Sequence, residues 1–534
     1  MRRLTFVSIL VAAFTLIPLA YIVLRALGAD AGVWQRLWVG QLPGLISSTL
    51  SLLLAAVALS TLLGVGCAWL VERTDLPGRS VWRWLLALPL AVPAYVAAAC
   101  WLIVFRRGGL LETVYRQWTG APLGSLPLPD LYTLPGAALI ISLCVFPYVY
   151  LPAASALRSI SRSLEDAARV AGRSAWGTFR EVTLPLILPA VTAGALLVGL
   201  YVLSDFGTVV LLQYRTFTVS IFRQFAGQTD RAAASILSLL LIGLTLPLVL
   251  GELRLNRRER RLNVGQTRRP PEVLRLNGWR WPALGAVTLV AGFALFFPFA
   301  VLSGQTLQGL LFPTEVDRIW SVGNEGVWVH GRNSVMVAGT AATLALALAF
   351  APVYLDARFP SRWTRLLLAA CKMPYALPGL IAGLSFVMFL NQWVNFLYGT
   401  VAALILAFTF RLMPQALATN EAVLRSVPPS LEQAARTLGQ TGWGAFRRVT
   451  LPVAAPGVIA SWALAFIAAM KELPTAILLR PPGFDTLPVS IWSAADERVY
   501  TQAAPPALLL IMLTLIPLAW VYSRQTTPVR DLPE

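Results

Sequence analysis

Twelve apolar stretches recur along the chain, and each is long enough to cross the hydrocarbon core of a bilayer. A helix needs roughly 20 apolar residues to span a core of ~30 Å. Since 57% of the residues are hydrophobic and only 13% are charged, the composition excludes a soluble protein. We therefore predict an all-α polytopic membrane protein with about 12 transmembrane helices. The stretches lie at 5–26, 45–70, 85–105, 134–157, 184–204 and 234–252, then at 281–303, 334–355, 366–390, 398–419, 449–470 and 505–522.

The arginines predict the orientation of these spans. If the N-terminus is cytoplasmic, the segments on the inner side contain 28 arginines and those on the outer side contain 12. The positive-inside rule then places both termini in the cytoplasm. The basic start of the chain would also fit a signal peptide, but the apolar run that follows is longer than a signal core, and we expect an uncleaved first span. The net charge of +18 indicates contact with anionic lipid headgroups and requires no nucleic acid.

The two sets of six stretches belong to duplicated halves of the chain. Residues 158–189 align with 425–456 without gaps at an offset of 267, and they are identical at 18 of 32 positions. An even number of spans per half keeps both copies in the same orientation, so we predict two parallel six-helix repeats with a pathway between them. The halves are residues 1–253 and 281–534, and a basic cytoplasmic linker at 254–280 joins them.

The duplication continues outside the repeated loops. Trp69 and Arg73 match Tyr354 and Arg358 at an offset of 285. The same offset relates two pairs of prolines in the third and ninth spans, and proline inside a helix predicts a kink. A kink is either a hinge that lines a pathway or a static packing feature. We therefore treat the tyrosines beside these prolines as candidate pathway or gate residues: Tyr95 follows Pro89 and Pro93, and Tyr375 lies between Pro374 and Pro378.

Each repeated loop carries Glu-x-Ala-Ala followed by a glycine. We expect a short helix with Ser163 or Ser430 as its N-cap and with the glycine in a left-handed turn at its end. The two alanines form a small face that permits close approach of another protein. The candidate residues for coupling to such a partner are Glu165, Ala167, Ala168 and Gly172 in loop 158–185, and Glu432, Ala434, Ala435 and Gly439 in loop 425–452.

The loop pattern Glu-x-Ala-Ala-x3-Gly-x9-[Ile/Val]-x-Leu-Pro resembles the EAA loop of permease subunits of ATP-binding-cassette importers, and both copies match it. The resemblance implies that each loop forms a coupling helix that docks in a groove of a cytoplasmic ATPase. It also implies a dimer of ATP-binding subunits and an extracytoplasmic substrate-binding protein as partners, in a bacterial inner membrane. The departures are small: Asp166 or Gln433 follows the glutamate, and Val182 and Val449 replace isoleucine.

The sequence lacks the motifs of an ATPase. A P-loop requires a glycine before its lysine, but Lys372 follows Cys371 and Lys471 follows Met470. The four cysteines are isolated and His330 is the only histidine, so no zinc site or disulfide framework is expected. We therefore expect no catalytic residue, metal ligand or cofactor in this chain, and the partner ATPase would bind ATP and Mg.

Charged residues near the membrane are further candidates for a pathway or gate, because such groups are costly there. Asp205 follows the fifth span, and Glu472 occupies the matching position after the eleventh, with Lys471 beside it. Arg411 lies within the tenth span, opposite Cys144, and has no charged counterpart. An interfacial carboxylate at a helix end is an equally good interpretation of Asp205 and Glu472.

The whole chain is most similar to permeases of ferric iron importers, through Ser-Asp-Phe-Gly-Thr at 204–208 and Lys-Glu-Leu-Pro-Thr at 471–475. Fused permeases for thiamine, and related ones for phosphonates or polyamines, are also similar. A secondary transporter driven by an ion gradient would share the repeats and the charged residues but needs no coupling loops. The expected mechanism is alternating access driven by the partner ATPases.

Overall fold

The described part of the chain is folded mainly into helices. The computed structural model describes residues 2–226, 231–262, 273–313 and 326–526. The α-helices up to residue 262 are Arg2–Leu27, Ala31–Gly40, Leu42–Arg73, Arg79–Leu85, Ala94–Phe105, Leu110–Thr119, Leu134–Val145, Pro147–Ser159, Arg162–Val170, Ala175–Thr178, Leu184–Ser204, Gly207–Leu211, Phe217–Ala226 and Arg231–Leu262. The later ones are Arg280–Ala291, Phe297–Leu311, Val327–Arg358, Arg362–Cys371, Gly379–Trp393, Val401–Ser426, Pro429–Thr437, Gly442–Ala445, Leu451–Met470, Pro474–Leu479, Leu487–Asp496 and Tyr500–Thr526.

The predicted number of spans is confirmed. In the described part of the chain, 10 helices are long and apolar enough to cross a membrane, and there are 12 if each of two bent helix pairs forms one span. The bent pairs are Leu134–Val145 with Pro147–Ser159, at 46°, and Arg362–Tyr375 with Gly379–Trp393, at 105°. Every apolar stretch found in the sequence overlaps one of these spans or pairs. The protein is therefore an all-α polytopic membrane protein.

Prolines break two of the spans completely, so the prediction of simple kinks was wrong. Proline lacks the backbone N–H that the helix needs and its ring clashes with the preceding turn. Two prolines four residues apart therefore leave only a short 3-10 turn between two helices. In the first case Leu88–Ala91 separates Arg79–Leu85 from Ala94–Phe105, and in the second Met373–Ala376 separates Arg362–Cys371 from Gly379–Trp393.

One compact unit contains Met1–Asp30, Arg318–Ser493 and Leu509–Glu534. Its first helix packs against helices from the C-terminal half of the sequence. Thr15 Oγ1 donates a hydrogen bond to the carbonyl of Ala370 at 3.3 Å. The ring of Phe14 meets those of Phe386 and Phe410 edge-on, at centroid distances of 5.9 and 6.0 Å. The N-terminal span is thus part of the core of this unit.

The other compact unit contains Ala31–Asp317 and Ala494–Leu508. At its centre the backbones of three helices, Leu42–Arg73, Pro147–Ser159 and Leu184–Ser204, approach closely at two glycines. A Cβ on Gly64 would lie 2.8 Å from Val149 Cβ, and a Cβ on Gly194 would lie 2.5 Å from the carbonyl oxygen of Tyr148. Small residues permit such close helix packing in membranes.

Candidate functional site

Both repeated loops contain a short helix that ends in a left-handed glycine turn, as predicted. The helices are Arg162–Val170 and Pro429–Thr437, and the φ angles of Gly172 and Gly439 are 81° and 82°. The residue after each glycine bonds back to the helix: Arg173 N to Ala168 O and Gln440 N to Ala435 O, both at 3.1 Å. This is the Schellman geometry, which satisfies carbonyls at the helix end.

The predicted N-caps, Ser163 and Ser430, are wrong. The helices begin earlier, and the residues before them, Ser161 and Pro428, make no side-chain capping bond. In the second loop Pro429 supplies a φ angle that suits the first helical position, so the helix can start there. In the first loop the hydroxyls of Ser161 and Ser163 lie 2.8 Å apart and bond to each other.

Replacing Gly439 with alanine is expected to weaken the turn after the second loop helix. A Cβ at positive φ costs about 1–2 kcal/mol, and asparagine should cost less because it tolerates this conformation. Faster amide hydrogen exchange in residues 429–452 would report the loss. Gly442→Ala is the matched control, because Gly442 has no positive φ. Equal exchange rates in the Gly439→Ala and Gly442→Ala variants would contradict this prediction.

The glutamate of the second loop is a buried anchor. Glu432 Oε1 accepts hydrogen bonds from Arg358 Nε at 3.1 Å and from Thr450 Oγ1 at 2.7 Å, while Oε2 accepts one from Tyr354 OH at 3.1 Å. Burial alone would raise the pKa of Glu432, but the bonds from Thr450 and Arg358 outweigh it and hold the pKa below its ordinary value. The carboxylate is therefore charged at neutral pH and joins the loop helix to the end of the span Val327–Arg358.

The first loop is anchored in the same way. Glu165 is buried and forms an ion pair with Arg73, whose side chain is also buried. Thr183 Oγ1 donates a second hydrogen bond to Glu165 Oε1 at 3.0 Å. Arg73 is the last residue of the helix Leu42–Arg73, so this contact also connects the loop helix to the end of a span.

The anchoring arginines were matched in the sequence but not recognised as partners of the glutamates. Aromatic residues one turn earlier complete each contact: the rings of Trp69 and Phe179 are 4.8 Å apart, and those of Tyr354 and Phe446 are 5.9 Å apart. The second aromatic of each pair lies in a π-helical turn, at Phe179–Thr183 and Phe446–Thr450. For the arginines and for Trp69 and Tyr354, the shared offset of 285 was the only sequence signal, and it did not indicate that they contact the loops.

The opposite face of each loop helix is exposed and carries a large aliphatic residue at its C-terminal end. Val170 is 89% exposed and Leu438 is 83% exposed, each at the end of its helix. Of the predicted coupling residues, Ala167 and Ala434 lie on the exposed face, Ala168 is half-buried and Ala435 is buried. The glutamate faces the protein, and each loop helix offers small and aliphatic side chains to the exterior, together with an exposed arginine, Arg169 or Arg436.

The end of the predicted linker is bound to the first anchor. Leu274 N donates to Arg73 O at 2.8 Å, and Asp75 N donates to Leu274 O at 3.0 Å, which forms an isolated parallel β-bridge. Leu276 N donates to Asp75 Oδ1 at 2.8 Å. Residues 263–272 of the linker lie outside the described residues. Leu274 and Leu276 thus bond to residues 73–75, and Arg73 of this segment binds Glu165.

The two carboxylates after the fifth and eleventh spans have equivalent local roles. Thr208 Oγ1 donates to Asp205 Oδ1 at 2.9 Å, and Thr475 Oγ1 donates to Glu472 Oε1 at 2.7 Å. Backbone amides at the start of the next short helix bond to both carboxylates, namely Val209 N to Asp205 at 3.3 Å and Thr475 N to Glu472 at 3.4 Å. Each carboxylate thus accepts hydrogen bonds from the first turn of the short helix that follows it, and in this sense it caps that helix.

Two of the remaining pathway candidates, Arg411 and Glu472, lie close together. Arg411 Nε lies 3.9 Å from Glu472 Oε2, and the two side chains form an ion pair. Lys471 is half-buried next to Glu472. Tyr95 is buried at the start of the helix Ala94–Phe105, and Tyr375 is half-buried in a 3-10 turn. The ion pair of Arg411 with Glu472 thus joins the helix Val401–Ser426 to the segment before the short helix Pro474–Leu479.

Similar proteins are transport permeases. The Fe(3+)-transport system permease protein FbpB 2 of Haemophilus influenzae is 29% identical to the chain and covers 96% of each sequence. The ferric transport system permease protein FbpB of Actinobacillus pleuropneumoniae is 22% identical over 91% of the chain and 72% of its own length. The molybdenum transport system permease protein ModB of Haemophilus influenzae is 31% identical, over 35% of the chain and 74% of its own length.

The family match follows the duplication. Residues 62–261 and residues 339–525 each match the binding-protein-dependent transport system inner membrane component. Each match contains one anchored loop helix and one of the capping carboxylates. The matches together cover more than half of the chain, so this protein belongs to the family of inner membrane components of binding-protein-dependent transport systems.

Proposed function

We propose that the chain imports ferric iron, driven by two ATPase subunits that dock on the loop helices Arg162–Val170 and Pro429–Thr437. The observation that carries the iron assignment is the similarity to the Fe(3+)-transport permease over 96% of both sequences. As a member of its family, the chain is a permease subunit of an ATP-binding-cassette importer and not itself an enzyme. It carries no cofactor of its own, and ATP and Mg belong to the partner subunits.

The loop geometry supports the proposed coupling. Each loop helix is fixed to the end of a span by a buried ion pair, Arg73 with Glu165 and Arg358 with Glu432. A force applied to the exposed face of the loop helix would therefore reach the span directly, because no flexible connection lies between them. We propose that the chain alternates between inward-open and outward-open states in response. Both termini and the linker 254–280 lie in the cytoplasm in this arrangement, and a substrate-binding protein docks on the outer side.

Uptake of radiolabelled ferric iron by iron-limited cells tests the substrate assignment. Cells that lack this chain should regain ATP-dependent uptake when it is restored, and they should not regain it with a Glu165→Gln, Glu432→Gln double variant. A membrane blot controls for the amount of each protein. If the restored wild type imports no iron, the iron assignment is wrong.

The same cells distinguish the alternatives. Molybdate and sulfate are tested because relatives that match parts of the chain are permeases for molybdenum and sulfate. Thiamine, phosphonates and polyamines complete the set of substrates. Uptake that persists after ATP depletion, and that collapses with the ion gradient, would instead support a secondary transporter.

A further inference from the structure

Arg411 carries a charge deep within a membrane span. It lies in the helix Val401–Ser426, about 15 Å from the first residue of the helix and about 22 Å from the last. Ionisable residues at such a depth are rare, and they mark substrate pathways or pair with other charged groups.

The contacts of Arg411 within the described structure are few. Its Nε lies 3.9 Å from Glu472 Oε2, which is too long for a hydrogen bond. Nε is buried and has no hydrogen-bond partner among the described residues, while 29% of the side chain is exposed. A guanidinium has five N–H donors in a fixed fork. Arg411 therefore has donors available for a further group.

The helix face that contains Arg411 is open on one side only. Gln415, Ala418 and Ala422 continue this face at helical spacing toward the repeated loop, and exposure increases from half-buried Gln415 to the two exposed alanines. In the other direction Phe408 is buried. The combination of arginine, glutamine and alanine indicates a face that meets water rather than lipid. Arg411 thus lies at the closed end of an accessible strip of small and polar residues.

Glu472 does not depend on Arg411 for its position. Thr475 holds its carboxylate through the hydroxyl at 2.7 Å and the backbone amide at 3.4 Å. Gly379 leaves room for the carboxylate, because a Cβ there would lie 2.8 Å from Glu472 Oε1. The arginine is consequently the member of the pair that can turn toward another ligand.

The cation is present in only one repeat. The equivalent of Glu472 is Asp205, but Cys144 stands where Arg411 would be, and Ala94 corresponds to Gly379. The capping carboxylate is thus common to both halves, whereas the arginine is not part of the duplicated scaffold. Capping of the short helices therefore does not explain Arg411.

We propose that Arg411 binds an anionic oxygen group of the transported species, such as a carboxylate, a carbonate or a phosphate. The guanidinium fork fits these groups through two parallel hydrogen bonds. The identity of the cargo as ferric iron rests on the function proposed above. For this cargo, the metal passes Arg411 as a complex with at least one anionic oxygen ligand. A bare trivalent cation would be repelled by the guanidinium, and Glu472 serves as the counter-ion of Arg411 between transport cycles.

Transport assays of three variants in proteoliposomes, with the partner subunits present, test this proposal. Arg411→Gln should lower substrate uptake about tenfold to a hundredfold, as expected for the loss of charge-assisted hydrogen bonds. Arg411→Lys should keep part of the uptake, because it retains the charge but not the fork. The double variant Arg411→Gln, Glu472→Gln should remain as inactive as Arg411→Gln. Cys144→Ser, at the matching position of the other repeat, is the control and should behave as wild type.

The outcomes separate this proposal from the iron assignment. If the double variant regains uptake, Arg411 only neutralises Glu472, and the proposal is wrong even though iron is transported. Wild-type uptake by Arg411→Gln would overturn it as well. If the wild type transports molybdate or sulfate but no iron, and Arg411→Gln abolishes that uptake, the iron assignment fails while the role of Arg411 stands. Equal amounts of assembled complex for every variant exclude a folding defect as the cause.

Discussion

Replacing Glu432 with glutamine is expected to release the second loop helix and to abolish substrate uptake. The change leaves the buried guanidinium of Arg358 without its counter-ion and weakens the bond from Thr450. Removal of one partner from a buried ion pair costs about 3–5 kcal/mol. Amide hydrogen exchange should rise in residues 429–452 and stay unchanged in 162–185, where Glu165 still binds Arg73. Membrane insertion should be normal, but the ATPase activity of the assembled complex should no longer respond to substrate-binding protein.

Three comparisons make this prediction specific. Gln433→Ala, at the exposed neighbouring position, should have no effect. A Glu432→Gln, Arg358→Met variant should recover part of the protection, because replacing both members of a buried pair leaves no unpaired charge. The lowered pKa of Glu432 means that the stabilising contact is complete above the ordinary value of 4.5 and is lost only as pH falls through the lowered pKa. Unchanged uptake and exchange in Glu432→Gln would show that the anchor has no role in coupling.

Replacing Gly194 with leucine is expected to prevent one compact unit from packing. A Cβ at this position would lie 2.5 Å from the carbonyl oxygen of Tyr148 and 2.7 Å from Val149 Cα. Both opposing atoms belong to the backbone, so no side-chain rotation relieves the clash. Overpacking of a core typically costs about 1–3 kcal/mol, and a backbone clash should exceed that range. We expect a low yield of membrane-inserted protein, and a Tm in detergent that falls by several degrees even for the smaller change Gly194→Ala.

A second glycine of the same unit provides the control. Gly243 lies in the helix Arg231–Leu262, and a Cβ at this position would meet no atom within 4 Å. Gly243→Ala should therefore leave the Tm unchanged or raise it slightly. If Gly194→Ala and Gly243→Ala had the same Tm, the three helices could move apart at Gly194 without a loss of stability, and the prediction would be wrong. The comparison isolates the close approach from the general effect of removing a glycine.

Local and periodic features could be predicted from the sequence with good accuracy. The number of spans follows from the length of apolar stretches, because the bilayer imposes that length on every helix. The positive φ of Gly172 and Gly439 follows from their position after a short helical segment. The duplication was evident because it is a comparison of the chain with itself. None of these features depends on tertiary contacts between residues that are distant in the sequence.

The helix starts and the effect of the prolines were predicted less well. Ser163 and Ser430 have side chains that suit an N-cap, but a proline at the first helical position set the start of the second helix instead. The paired prolines were expected to kink a continuous span, and they interrupt it. In each case several local preferences compete, and the geometry of the surrounding helices determines the outcome.

The contacts that make the loops rigid depend on the tertiary structure alone. Arg73 is 92 residues from Glu165, and Arg358 is 74 residues from Glu432, so neither pair has a periodic signature. The same holds for the bridge between Thr74 and Leu274 and for the position of the first helix among segments from the C-terminal half. Hydrophobic pattern specifies that a helix crosses the membrane, whereas its neighbours depend on complementary shape and charge, which become defined only when the helices pack.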